Sequence, residues 1–123
     1  MKNEEFSKKM DSLWKQILKM RDAGQKEYAR TNDDVHANFK RVGECLGISP
    51  EKALMVYLMK HIDGIIAHID GHTSQREHVE GRITDAIVYL FLLWGLLSEP
   101  KSLCIETPYP KNSDATPVPE FEE

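Results

Sequence analysis

Apolar residues recur at helical spacing along most of the chain, and four helices account for the pattern. The first apolar face consists of residues spaced three or four apart: Phe6, Met10, Leu13, Ile17 and Met20. The polar run Thr31-Asn32-Asp33-Asp34 then offers side-chain oxygens to the first turn of a second helix. The second, shorter face comprises Val35, Phe39, Val42 and Leu46. Such spacing is typical of amphipathic helices, and Gly47 ends the second one.

The third and fourth helices are predicted to form an antiparallel pair. Ser49-Pro50-Glu51 combines a capping residue, a proline that needs no amide partner and an acid near the positive end of a helix. A helix therefore begins there, and its apolar stripe runs to about Asp70. The short connector at residues 71–75 brings the fourth helix, from about Arg76 to Glu99, back alongside the third. Residues 1–99 are thus predicted to form a compact all-α, four-helix domain.

The fourth helix contains an uncharged apolar run of twelve residues, Ala86–Leu97. A membrane-spanning helix needs about 20 apolar residues, so this run favours a soluble protein with no membrane partner. A helix that is apolar on every side must instead be surrounded by protein. Because three other short helices offer too little cover, we expect a homo-oligomer whose interface lies on helix four.

Composition narrows the functional classes. The chain has 123 residues, of which 41% are apolar and 29% charged, as in a single soluble domain. Its net charge of -4 argues against nucleic acid as a partner. Cys45 and Cys104 form no metal-binding or disulfide pattern, and the first residues lack the apolar run of a signal peptide. A cytoplasmic location is therefore predicted.

The last segment of the chain, residues 100–123, differs in composition from the rest. It holds five of the six prolines, and its five acidic and two basic residues give it a net charge of -3. Proline interrupts helices, and few apolar groups are available there for burial. We therefore predict an extended or disordered Pro-rich acidic tail.

Polar residues interrupt helices three and four in two stripes. The stripe on helix three comprises Tyr57, Lys60, His61, Gly64 and His68, and that on helix four comprises His78, Arg82, Asp85 and Tyr89. Two antiparallel neighbours with such stripes enclose either a ligand pocket or an internal network that satisfies its own members. In a pocket, Lys60 and Arg82 would hold phosphate or carboxylate oxygens, and tyrosines would stack on a base. In a network, Arg82 would pair with Asp85 and Glu80.

Motifs for metal binding and catalysis are weak. The repeated His61-Ile62-Asp63-Gly64 and His68-Ile69-Asp70-Gly71 do not direct histidine and aspartate at one ion, so no metal ligand is predicted. No glycine-rich phosphate loop or nucleophile elbow is present in the sequence. A partial magnesium set on helix four comprises Glu77, Glu80 and Asp85. We therefore predict no catalytic residues and no cofactor, with Mg²⁺ required only by a hydrolase alternative.

Several segments resemble a known family. They are Lys26-Glu27-Tyr28, Asp33-Asp34, Ala37-Asn38-Phe39, Leu46–Glu51, Val56–His61 and Glu80–Leu90. In order and spacing this part of the chain resembles the nucleotide-modification-associated domain 1 family of small phage and bacterial proteins. The resemblance implies an all-helical protein tied to nucleotide metabolism. The residues it highlights are Tyr28, Asp34, Asn38, Lys60, His61, Glu80, Arg82, Asp85 and Tyr89. Val88 stands where the family pattern has asparagine, which weakens a catalytic role more than a binding role.

The stripes and the resemblance together predict a ligand site. Its residues are Tyr28, Asn38, Tyr57, Lys60, His61, Glu80, Arg82, Asp85 and Tyr89. We expect a phage-type protein that binds and sequesters a cyclic or modified signalling nucleotide, without catalysis, to counter anti-phage defence in the host cytoplasm. One alternative is a Mg²⁺-dependent nucleotide pyrophosphohydrolase with His61 as base. The other is a protein-interaction module that binds a host factor through helix four.

Overall fold

The computed structural model describes residues 1–28 and 33–100 of the chain. These residues form four α-helices and no strand: α1 (Asn3–Tyr28), α2 (Ala37–Leu46), α3 (Pro50–Ile69) and α4 (Val79–Ser98). The all-α, four-helix prediction is therefore confirmed. The predictions for residues 31–32 and for the tail after Pro100 lie outside the described residues.

Local chemistry explains where the helices begin and end. The Oγ of Ser49 accepts a hydrogen bond of 3.2 Å from the backbone N–H of Lys52, and Pro50 opens α3 as predicted. Gly47 ends α2 with a φ of 70°, a left-handed conformation that glycine adopts without strain. The start of α2 is later than expected. The Oδ1 of Asp34 accepts from the backbone N–H of His36, and the helix begins one residue further on.

Helices α3 and α4 form the centre of the fold and run antiparallel. Tyr57 contacts Tyr89, His61 contacts Asp85, and Gly64 contacts Arg82, so contacts that advance along α3 move backwards along α4. Gly64 packs closely against Arg82: a Cβ at this position would lie 2.5 Å from the Cδ of Arg82, so the arginine side chain would have to shift. The two predicted polar stripes therefore face each other.

The two remaining helices, α1 and α2, pack on different members of this pair. Helix α2 packs mainly on α3, and α1 packs on α4, where the rings of Trp14 and Phe91 lie 5.4 Å apart. The buried apolar side chains are Ile17, Phe39, Ala53, Leu54, Leu58, Ala86 and Leu96. Of the face predicted for α1, only Ile17 is buried, whereas Phe6 and Met10 are about half exposed. The first twelve residues are all exposed, because no described element covers the first turns of α1.

Helix α4 keeps a large apolar surface. Ile83, Leu90, Trp94 and Leu97 are all exposed, and Trp94 reaches 70%. Among the described residues α4 is the one helix whose length and composition would allow it to cross a membrane. Its charged residues Glu80, Arg82 and Asp85 lie in the first two turns. The remaining apolar run is about 18 Å long at 1.5 Å per residue, whereas the hydrocarbon core of a bilayer is about 30 Å thick.

Candidate functional site

All four helices contribute to one cavity of about 460 Å³. Its walls come from the last turns of α1, from the first turn of α2 and from the facing stripes of α3 and α4. The polar and aromatic residues around it include Gln25, Tyr28, Asn38, Phe39, Tyr57, Lys60, His61, Glu77, Asp85 and Tyr89. Ligand-binding cavities in proteins commonly measure about 300–1,000 Å³, so this one can accept a small organic molecule.

One side of the cavity is an aromatic wall formed by Phe39, Tyr57, His61 and Tyr89. The rings of Tyr57 and Tyr89 are nearly parallel, with centroids 6.1 Å apart and an interplanar angle of 16°. The ring of His61 lies 5.5 Å from that of Tyr89, and Phe39 meets both tyrosines edge-on. Such an arrangement fixes the rings against one another along this side of the cavity.

Tyr89 is the most strongly perturbed titratable group of the wall. Burial, and then the negative charge of Asp85, raise its pKa to about 12. Its phenol therefore keeps its proton throughout the physiological pH range and can act as a hydrogen-bond donor. Tyr89 is accordingly suited to recognition of a ligand rather than to accepting a proton from one.

At one end of the cavity three potential metal ligands meet, and we call them the His61 cluster: His61, Glu77 and Asp85. One ligand atom from each lies within 4.8 Å of the other two. The imidazole Nδ1 of His61 is buried without a hydrogen-bond partner, and its nearest carboxylate oxygen, Oδ2 of Asp85, is 3.6 Å away. That distance is too long for a hydrogen bond. A buried polar atom left in this state is unusual in a folded protein.

The environment of Asp85 is electrostatically unfavourable for its own charge. Burial raises the pKa of Asp85 above its usual value, and the negative charge of Glu77 adds to the rise. The positive charges of His61, Lys60 and Arg82 oppose this rise without cancelling it. The charges around the Asp85 carboxylate therefore do not offset the cost of its burial.

Seven of the nine predicted site residues line the cavity: Tyr28, Asn38, Tyr57, Lys60, His61, Asp85 and Tyr89. Glu80 and Arg82 lie outside it. Glu80 is exposed, and the Nε of Arg82 donates a hydrogen bond of 2.9 Å to the Oε1 of Gln75. Gln75 in turn donates to the carbonyl of Gly64, so Arg82 fixes the α3–α4 connector. Arg82 therefore has a structural partner that the sequence pattern did not indicate.

A second group of polar residues, which we call the His36 cluster, joins the start of α2 to the end of α4. It comprises Asp34, His36, Lys40 and Glu99. The ring nitrogens of His36 lie 2.9 Å from the carboxylate of Glu99 and 2.9 Å from the carbonyl of Leu92. Because a carboxylate and a carbonyl only accept, each ring nitrogen of His36 is positioned to donate a hydrogen bond. Spacing rules could not predict this cluster, because residues 36 and 99 meet only in the tertiary structure.

Sequence reasoning also missed most of the contribution of α1 to the cavity. Gly24 and Gln25 line it together with Tyr28, the one residue of α1 among the predicted site residues. Arg41 donates hydrogen bonds to the carbonyl of Tyr28 and to the Oδ1 of Asn38, which holds the end of α1 against α2. No spacing pattern indicates such a contact between separate helices.

The chain matches no family model, no curated protein and no solved structure. The resemblance to the nucleotide-modification-associated domain 1 family therefore stays a prediction. The cavity and its residues are the basis on which a function can be assigned.

Proposed function

We propose that the protein binds a nucleotide in the cavity of about 460 Å³ and retains it without chemical change. The observation that carries this proposal is that one cavity combines the aromatic wall with an ammonium group, an amide and a phenol. Aromatic rings stack on any base through its π face. A cavity with few, well-placed polar groups gives such stacking its specificity.

Each polar group has a natural counterpart on a nucleotide. Lys60 is exposed and lines the cavity, so its ammonium group supports binding of phosphate oxygens. The amide of Asn38 and the phenol of Tyr89 offer hydrogen bonds to a base edge or a ribose hydroxyl. Arg82 is held by Gln75, so the cationic role in this proposal falls to Lys60.

The biological role we attach to this binding is sequestration of a cyclic or modified signalling nucleotide by a phage protein in the cytoplasm of its bacterial host. This role comes from the family resemblance. Sequestration requires tight binding and an intact ligand, and both are measurable.

The experiment is a thermal-shift screen of linear, cyclic and modified nucleotides, followed by chromatography of the recovered ligand. A ligand at 100 times its Kd adds about 2.7 kcal/mol of stability. Replacement of Tyr89 by leucine removes one ring of the aromatic wall and should weaken binding by about 1–3 kcal/mol, whereas Phe6→Leu changes an exposed aromatic residue outside the cavity. A screen without any stabilising nucleotide, or equal binding by both variants, would contradict the proposal.

A second copy of the chain is the partner we propose for α4. Ile83, Ile87, Leu90, Trp94 and Leu97 are spaced alternately four and three residues apart, the spacing of a helix–helix seam. We expect light scattering to give the mass of an oligomer for the wild-type protein and a smaller mass for Trp94→Glu. The control is His72→Glu in the exposed α3–α4 connector. A wild-type monomer would exclude this interface.

The His61 cluster favours one second candidate, a metal-dependent nucleotide hydrolase. Glu77 and Asp85 of the partial magnesium set come together with His61, whereas Glu80 does not. Under this alternative the recovered nucleotide would be cleaved, and cleavage would require Mg²⁺ or another divalent ion. The chromatographic step of the same screen separates the two functions.

A further inference from the structure

We propose that the His61 cluster is a binding site for a divalent first-row transition-metal ion, held by the Nδ1 of His61 and by the carboxylates of Glu77 and Asp85. Such an ion is compatible with a nucleotide-binding protein and with a hydrolase alike, whichever ligand the cavity holds.

The unsatisfied nitrogen of His61 is the first reason to expect an ion. The residue is 6% exposed, and its Nδ1 has no hydrogen-bond partner. Leaving such an atom unpaired destabilises the folded state. A neutral imidazole nitrogen is a common ligand for transition metals, so a bound ion would give the Nδ1 of His61 a bonding partner.

The positions of the three candidate ligand atoms also fit a single ion. They lie within 4.8 Å of one another, and the Nδ1 of His61 is 3.6 Å from the Oδ2 of Asp85. Ligands at about 2.0–2.2 Å from one ion lie roughly 3–3.5 Å apart. Glu77 has a side-chain exposure of 48%, lies in the connector and has only a long contact of 4.0 Å with Arg82, so its carboxylate can rotate to close the remaining distance.

The charge of the cluster is the third reason. Glu77 and Asp85 place two carboxylates beside His61. The guanidinium of Arg82 lies 4.0 Å from Glu77 and donates a hydrogen bond to Gln75, and Lys60 is exposed. A divalent ion at the centre of the cluster would supply the missing charge.

The ligand types define the class of ion. Mg²⁺ and Ca²⁺ prefer ligand sets made only of oxygen, whereas an imidazole nitrogen favours ions such as Zn²⁺, Fe²⁺ and Ni²⁺, and the two carboxylates also suit Mn²⁺. Three protein ligands leave coordination positions open, and the cluster lines the cavity. A phosphate oxygen or a water molecule can occupy those positions.

The test is a titration of the full chain with Mn²⁺, in which electron paramagnetic resonance measures the free ion. We expect one saturable site per chain that Zn²⁺ displaces. Changes in residues that only orient metal ligands cost about 10–100-fold in affinity, so loss of a ligand should cost at least tenfold. Glu77→Gln and Asp85→Asn should each show this loss. Asp63→Asn, an exposed carboxylate of α3 outside the cluster, should bind as the wild type does.

Two outcomes would overturn the proposal. One is the absence of saturable Mn²⁺ or Zn²⁺ binding by the wild-type protein. The other is retention of binding by both Glu77→Gln and Asp85→Asn, or an equal loss in Asp63→Asn, because the ion would then be held by other groups. Circular dichroism of each variant verifies that its helices are intact, and Glu77 in the connector is the position least able to disturb them.

Discussion

The two histidine clusters contain similar residues but differ in how well their charges and ring nitrogens are paired. The carboxylates of the His36 cluster are neutralised from within: Lys40 lies 2.6 Å from Asp34 and 3.6 Å from Glu99, and both ring nitrogens of His36 are hydrogen-bonded. In the His61 cluster the Nδ1 of His61 has no hydrogen bond, and the charged contacts are longer: Asp85 lies 3.6 Å from that nitrogen and Arg82 lies 4.0 Å from Glu77.

The pKa values express the same difference. Burial alone would raise the pKa of Asp34, but hydrogen bonds from Lys40 and from the backbone of His36 outweigh it and lower that pKa. In Asp85, burial prevails and the pKa is raised. A cluster that supplies its own counter-charge stabilises the fold, whereas one that lacks it is suited to a ligand.

The largest effect is expected from loss of His36. Its side chain is 2% exposed and packs against Gly95, so His36→Ala leaves a cavity together with unpaired acceptors on Leu92 and Glu99. We expect a loss of about 3 kcal/mol or more in the free energy of unfolding, measured by urea denaturation. His72→Ala, in the exposed connector, should change it by less than about 0.5 kcal/mol. Similar free energies of unfolding for the two variants would contradict a structural role of the His36 cluster.

The next effect is stabilisation by metal. Mn²⁺ at 100 times its Kd should raise the free energy of unfolding by about 2.7 kcal/mol, and EDTA should reverse the rise. Glu77→Gln should lose this increment, because it removes a ligand of the proposed ion. Glu99→Gln should keep this increment, because Lys40 already neutralises the carboxylates of the His36 cluster and no ion is expected there. Loss of the increment in Glu99→Gln alone would show that the ion binds at the His36 cluster and not at the His61 cluster.

A smaller effect is expected from pH and Asp34. Its pKa is lower in the folded chain than in the unfolded chain, so its contribution is present above about pH 4 and is lost as the pH falls through the folded value. At neutral pH, Asp34→Asn should destabilise the protein by about 1 kcal/mol or less, since Lys40 is partly exposed. Its stability should also depend less on pH in the acid range. Thermal denaturation at several pH values compares it with Asp63→Asn, which should follow the wild type.

The smallest effect has the opposite sign. Because the folded pKa of Asp85 is raised, its charge opposes folding at neutral pH, and this penalty disappears as the pH falls through the folded value. In EDTA, Asp85→Asn should therefore stabilise the protein, by less than about 1 kcal/mol. Urea denaturation at pH 7 is the measurement. A destabilised variant would show that Asp85 already has adequate partners and would weaken the contrast between the clusters.

The sequence predicted the central pair of helices well. The stripes on α3 and α4 carried enough information because spacing of three and four residues fixes which side chains share a face. A short connector then made the pair antiparallel, and Tyr57 accordingly meets Tyr89 while His61 meets Asp85. These contacts follow from the helical spacing within α3 and α4 and from the one short connector between them.

The periphery was predicted less well. The spacing in α1 identified a face but not its burial, because burial depends on which helix lies opposite, and the first turns have no described neighbour that covers them. Arg82 shared a stripe with Asp85, yet its partner is Gln75 in the connector. A connector has no periodicity from which such a contact can be predicted.

The sequence by itself determined the four helices, the caps at Ser49 and Gly47, and the facing polar stripes, because each depends on residues close together in the chain. Only the tertiary structure decided which charges are compensated. Lys40 reaches Asp34 and Glu99, whereas the nearest carboxylate oxygen to the Nδ1 of His61 is 3.6 Å away. Electrostatic energy depends on distance and burial, and both arise when residues remote in sequence pack together.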